Sequence, residues 1–112
     1  MNHFDKLPEF EKEFKRLGNK YPSLSSDLKS FEGIISQWPA GIGANFTTLH
    51  HSPDVKIMKA RLACKSLRGR SMRVIYAFHD KKITFVYIEI YFKGDKENED
   101  RERIKEYLGN LK

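Results

Sequence analysis

Leu7, Phe10, Phe14 and Leu17 recur at spacings of 3, 4 and 3, and Leu28, Phe31, Ile35 and Trp38 repeat the same spacing. A stripe with that period covers one face of an α-helix and no face of a strand. Pro8 suits a first helical turn, Glu9 and Glu11 complement its dipole, and Gly18-Asn19 is a natural stop. Ser23, Ser25 and Ser26 are candidate N-caps for a second helix, which Pro39 ends. Only about four residues separate the two, so an antiparallel helical hairpin is expected.

Residues 39–54, with Pro39, Gly41, Gly43, Asn45 and Pro53, read as a loop, and after it the period changes to two. In 55–65, Lys56, Met58, Ala60, Leu62 and Cys64 alternate with Ile57, Lys59, Arg61, Ala63 and Lys65. The first set is largely apolar and is expected to face a core, with Cys64 as a small buried thiol. Lys59 and Arg61 then share the opposite face, roughly 6.5 to 7 Å apart along the strand. Residues 66–71 read as a basic turn, 72–79 as the next strand, Asp80-Lys81-Lys82 as a second turn and 83–92 as the last strand. Alternation there places Val86, Ile88, Ile90 and Phe92 on one face and Phe85, Tyr87, Glu89 and Tyr91 on the other. A third helix closes the chain, with Asp95 or Asn98 as cap and Ile104, Tyr107, Leu108 and Leu111 as apolar stripe. Glu97–Arg101 and Glu99–Arg103 have i,i+4 spacing on it. Asn2–Lys6 can add a short strand. The expected fold is an α+β sandwich, a single domain over 1–112: a helical hairpin and a C-terminal helix on a mainly antiparallel sheet of three to four strands.

The formal charge is +6, and it is concentrated. From Val55 to His79 there are seven bases, Lys56, Lys59, Arg61, Lys65, Arg68, Arg70 and Arg73, and no Asp or Glu. Residues 94–112 carry five bases against six acids. Cations on rigid strands favour an anionic partner, nucleic acid first and an acidic protein segment second. No window approaches the roughly 18 to 20 apolar residues of a membrane span, and the first residues lack the apolar run of a signal peptide. No membrane partner and a cytoplasmic location are expected. His50-His51 has no further ligand at metal spacing, and the acidic run Asp95–Asp100 lacks the glycine of a calcium loop, so neither metal nor cofactor is expected. His79, beside a turn, is expected to be exposed.

Three segments together resemble the RelE/ParE superfamily of toxin–antitoxin toxins. Leu7-Pro8-Glu9-Phe10-Glu11-Lys12-Glu13-Phe14-Lys15-Arg16-Leu17, with Tyr21-Pro22-Ser23-Leu24, looks like its helical hairpin. Lys59-Ala60-Arg61, leading through a basic turn to Arg73-Val74-Ile75-Tyr76, is similar to its central hairpin. Ile88-Glu89-Ile90-Tyr91-Phe92-Lys93-Gly94-Asp95-Lys96 looks like the end of its last strand. Ser71-Met72 stand before Arg73, where many relatives have a glycine.

The resemblance implies the toxin of a type II toxin–antitoxin system. Its activity would be metal-independent endonucleolytic cleavage of messenger RNA on the ribosome, with a cognate antitoxin as a hetero-oligomeric partner. The alternatives within the fold are a basic module that only binds RNA or protein, and a ParE-like gyrase poison. Metal-free RNA cleavage needs a base for the 2′-hydroxyl proton, cations for the phosphorane and an acid for the leaving oxygen. Arg61 and Arg73 can fork onto phosphate oxygens. Lys59, crowded by arginines, is expected to have a lowered pKa. Tyr91 can orient, protonate or stack, and Lys93 stands at the strand's end. Matched to the family's pattern, Lys59, Arg61, Arg73, Tyr91 and Lys93 are the candidate catalytic residues, and Lys56, Lys65, Arg68, Arg70 and Lys96 the candidate RNA-binding ones. A cross-hairpin Arg73–Glu89 ion pair is the structural alternative for Arg73.

Overall fold

The computed structural model describes residues 3–111. In chain order it contains β1 (His3–Lys6), α1 (Pro8–Lys20), α2 (Leu24–Gln37), β2 (Phe46–His51), β3 (Val55–Ala63), β4 (Ser71–His79), β5 (Thr84–Phe92) and α3 (Arg101–Gly109). The strands form one five-stranded sheet in the order β1-β5-β4-β3-β2. Only β1–β5 is parallel; the other pairs are antiparallel. Asn2, the first residue of the expected short strand, lies outside the described residues.

Each face of the sheet buries a different apolar set. The α1–α2 hairpin lays Phe10, Leu17, Leu28, Phe31 and Ile35 on Met58, Ala60, Leu62, Val74, Tyr76, Phe85 and Ile90. Cys64 is buried with this set. On the other face Ile104, Tyr107 and Leu108 of α3 pack on Val55, Ile57, Ile75, Ala77 and Ile88. The α1 start follows local rules, with proline in the first turn and Glu9 and Glu11 beside it. Ser23 precedes α2 but does not cap it. Its hydroxyl donates to Asp27 Oδ2 at 2.6 Å and accepts from Ser66 N at 2.9 Å, tying α2 to the turn after β3. Among the described residues no helix is long and apolar enough to cross a membrane.

Two strands depart from expectation. Residues 46–51, read as loop, form β2 and pair with β3. This edge strand has no well-buried face, so its sequence lacks alternation to betray it. In β5, Ile75 pairs with Glu89 but the next residue, Tyr76, pairs with Tyr87, so Ile88 is an extra residue. This bulge reverses the alternation. Phe85 and Tyr87 face the hairpin, as do Ile90 and Phe92, while Val86 and Ile88 face α3. The expectation of one unbroken alternation across 83–92 is overturned.

The bulge also sits where β5 loses its neighbour, because β1 pairs only as far as Tyr87. Beyond that point an ion pair satisfies the freed edge. Arg103 donates to Glu13 through two bonds of 2.9 and 2.8 Å and to Ile88 O at 2.9 Å, while Ile90 N donates to Glu13 at 3.3 Å. Buried backbone groups need such partners. Arg103 is therefore not paired with Glu99, and the third helix starts later than expected. Asp100 is its cap, accepting from Arg103 N at 3.0 Å, and neither Asp95 nor Asn98 does this. Glu97 and Glu99 precede the helix, so neither forms the expected helical pair.

Candidate nucleic-acid interface

Register brings the arginines together. Arg61 on β3 lies directly opposite Arg73 on β4, and Arg73 lies opposite Tyr91 on β5. One row further in, Lys59 is opposite Ile75, and Ile75 opposite Glu89. All these side chains belong to the α3 face; Ile75 and Glu89 are buried beside α3, and Arg61 and Arg73 stand at the end of the sheet that α3 leaves uncovered. Arg61, Arg73, Lys59 and Lys93 line one open cleft of about 350 Å³, together with Asn45, Thr47, Asn98, Glu99 and Arg101.

Neither Arg61 nor Arg73 makes an ion pair among the described residues. Like charges directly opposite across two strands repel, so the pair is a cost unless an anion lies between them. Arg73 is held instead by Ser71, whose hydroxyl accepts from Nη1 at 2.9 Å. A guanidinium has five donors, so this leaves most of the fork free. The Arg73–Glu89 pair does not form.

The lysines are treated differently. Lys59 donates to Glu99 Oε1 at 2.9 Å, and Glu99 is 8 % exposed. That hydrogen bond holds the Lys59 ammonium above its ordinary pKa against the pull of burial. The expected downward shift is overturned, because a carboxylate from 40 residues downstream outweighs burial, and burial rather than the arginines is what opposes it. Burial pushes the Glu99 carboxyl up, but Lys59 and backbone bonding bring it below its ordinary value. Lys96 bonds Glu89, which is wholly buried and also accepts from Asp100 N at 2.8 Å. The Lys96 ammonium lies over the Tyr91 ring, 5.6 Å from its centroid. The Tyr91 hydroxyl is buried beside the Lys59 ammonium, without a well-formed hydrogen bond among the described residues. Burial raises its pKa, with Lys59 opposing. Tyr91 is in the row of the arginines but not on the cleft wall.

The remaining candidates scatter. Arg70 and Lys93 border an adjoining cleft. Arg68 is on the turn after β3, in a left-handed conformation. Lys65 lines a groove between α2 and β3. Lys56 is paired with Phe78 at the far end of β3, and its alternation places it on the hairpin face, so it does not join the cleft. His79 is half-buried rather than exposed: its Nε2 bonds the Tyr107 hydroxyl, and burial, then Lys82, lowers its pKa. Asn45, Thr47, Glu99 and Arg101 were not singled out for the site. Asn45 and Thr47 belong to the segment read as loop, and no local pattern marks Glu99.

No protein-family model matches the chain, and no curated protein matches it. Among solved structures, it is similar to the E. coli toxin RelE in the free state, a form with two arginines replaced by alanine. The TM-score is 0.60 at 22% identity, covering 99% of this chain and 98% of that one. The chain has a RelE-like fold. The likeness spans α1, α2, the antiparallel strands and α3, so the strands that carry Arg61 and Arg73, and β5, which leads to Lys93, are elements of that fold.

Proposed function

We propose that this protein is the toxin of a toxin–antitoxin pair and that it cleaves ribosome-bound messenger RNA without a metal. The observation that carries this reading is the unneutralised Arg61–Arg73 pair, in register on an open cleft of a RelE-like fold. Two arginine forks facing each other suit a phosphodiester that gains charge as it becomes a phosphorane. The RNA 2′-oxygen attacks phosphorus, the bond to the 5′-oxygen breaks, and a 2′,3′-cyclic phosphate and a 5′-hydroxyl result. Glu99, the one carboxylate on the cleft wall, takes the 2′-hydroxyl proton, and the Lys59 ammonium it holds protonated gives one to the leaving oxygen. Lys93 adds charge at the rim. Tyr91 lies beneath Lys96 and beside Lys59, and helps to hold them in place. A partner antitoxin with an acidic, amphipathic segment fits the groove beside Ile34, Phe46, Arg61 and Lys65.

The test is primer extension on messenger RNA in a translating extract. The wild type is expected to give cuts that depend on ribosomes, and Arg73→Ala to lose them by a factor of about 10² to 10³ at unchanged folding. Intact messenger RNA with the folded wild type sinks the reading. A second reading, a basic module that binds RNA without cutting it, is favoured by the buried Tyr91 hydroxyl and by the occupied Lys59. It predicts salt-sensitive binding and no cleavage products.

A further inference from the structure

Beside the main cleft lies a second one of about 370 Å³, lined by Arg70, Ser71, Arg73, Phe92, Lys93 and Gly94. Arg73 and Lys93 belong to both. The chain enters β4 through Arg70 and leaves β5 through Phe92, and these ends stand together because Met72 pairs with Phe92. The Arg70 guanidinium lies over the Phe92 ring, its Cζ 4.7 Å from the centroid. Arg70 itself is exposed and makes no ion pair among the described residues.

The ring beneath is fixed from three sides. Tyr21 meets it edge-on, with centroids 6.1 Å apart. The hydrophobic core packs on it from the hairpin side. The backbone then folds back over it, with Asp95 N and Lys96 N both donating to Phe92 O, at 2.9 and 3.1 Å. That turn needs glycine at 94, since a Cβ there would come within 2.5 Å of the Phe92 ring. A flat, weakly hydrated cation thus lies over a packed aromatic ring at the mouth of a cleft that Arg73 and Lys93 also line. Arg68, two residues earlier on the same turn, lies over no aromatic ring among the described residues.

We infer that this second cleft is a nucleobase subsite: one base of single-stranded RNA stacks on the Arg70 plane while the phosphate beside it is held between Arg73 and Lys93. The inference rests on the RNA reading of the main cleft and adds what the neighbouring nucleotide does. Splayed bases of single-stranded RNA stack on aromatic rings and on arginine planes alike, and lysine offers no plane. Stacking of this kind tolerates any base, so the subsite positions the strand without selecting its sequence.

The experiment is fluorescence anisotropy with short, 2′-O-methylated, uncleavable RNA across a salt series, using the wild type, Arg70→Lys and Arg70→Ala. Walking a single abasic position along the oligonucleotide locates the base. Arg70→Lys is expected to weaken binding about tenfold with an unchanged salt slope, because charge is kept and the plane is lost. One abasic position is expected to weaken the wild type similarly and to leave Arg70→Lys unaffected. Arg70→Ala should lose the same factor and, because a charge near the phosphate is removed, no more than about 0.7 of salt slope in addition. Equal binding by the wild type and Arg70→Lys overturns the subsite while leaving the RNA reading intact. Failure of the wild type to bind the free oligonucleotide also overturns the subsite, while the cleavage reading stands or falls on the translating extract.

Discussion

The two ends of the sheet face under α3 are built by opposite rules. At the covered end Val55, Ile57, Ile75 and Ile88 meet Ile104, Tyr107 and Leu108, and the charges bordering them are matched. Glu89 has Lys96 and the Asp100 amide, and Arg103 has Glu13, while the Lys59–Glu99 pair stands on the border where the open cleft begins. At the open end two arginines face each other with no acid between them. Burial explains the contrast. A charge taken out of water must be paired, whereas a half-exposed one can be left waiting for an external anion. On the proposed reading, the open end gives up a little stability to keep Arg61 and Arg73 free for phosphate.

Breaking the matched end should have the largest effect. Lys96→Met leaves the buried Glu89 carboxylate with only an amide donor and is expected to cost about 3 kcal/mol of unfolding free energy, measured by urea titration. The Lys96 side chain is 42% exposed, and solvent screening keeps the cost at the low end for a buried pair. A loss below about 0.5 kcal/mol would mean that the two ends do not differ as argued.

Arg61→Ala tests the open end with two readouts of opposite sign. Cleavage in the translating extract should fall about 10²-fold, and stability should rise by roughly 0.2–1 kcal/mol as the cross-strand repulsion is removed. A fall in both would show Arg61 to be a structural residue and would erase the contrast.

The smallest effect belongs to the covered end and appears only with pH. His79 has its pKa held below 6.5 by burial, so the unfolded chain takes up a proton that the folded chain resists. Stability is therefore expected to fall as pH drops through 6.5, and His79→Gln to flatten that part of the profile, read by thermal melts between about pH 7.5 and 5.5. Parallel pH profiles for the two proteins would remove His79 as the cause.

Much of this was legible in the chain, and the illegible parts share one cause. The two 3-4-3 stripes announced α1 and α2, and alternation in 55–65 put Met58, Ala60 and Leu62 on the core and Lys59 with Arg61 opposite. Edge strand β2 was hidden because neither of its faces is buried deeply enough to demand apolar residues. The Ile88 bulge was hidden because an inserted residue changes pairing with β4 and not the local composition. The direction of the Lys59 pKa shift was misread because its partner, Glu99, arrives from the segment before α3.

Helix and strand periods, the local excess of positive charge and the side of β3 that carries Arg61 are properties of neighbouring residues, and the sequence by itself determined them. Which cations are neutralised was decided only by tertiary structure. The pairings Lys59–Glu99 and Glu13–Arg103 join residues 40 and 90 positions apart, and the Arg61–Arg73 opposition exists only in the register of β3 on β4. Coulomb energy depends on distance in space and on exposure to water, and neither is written in the order of residues.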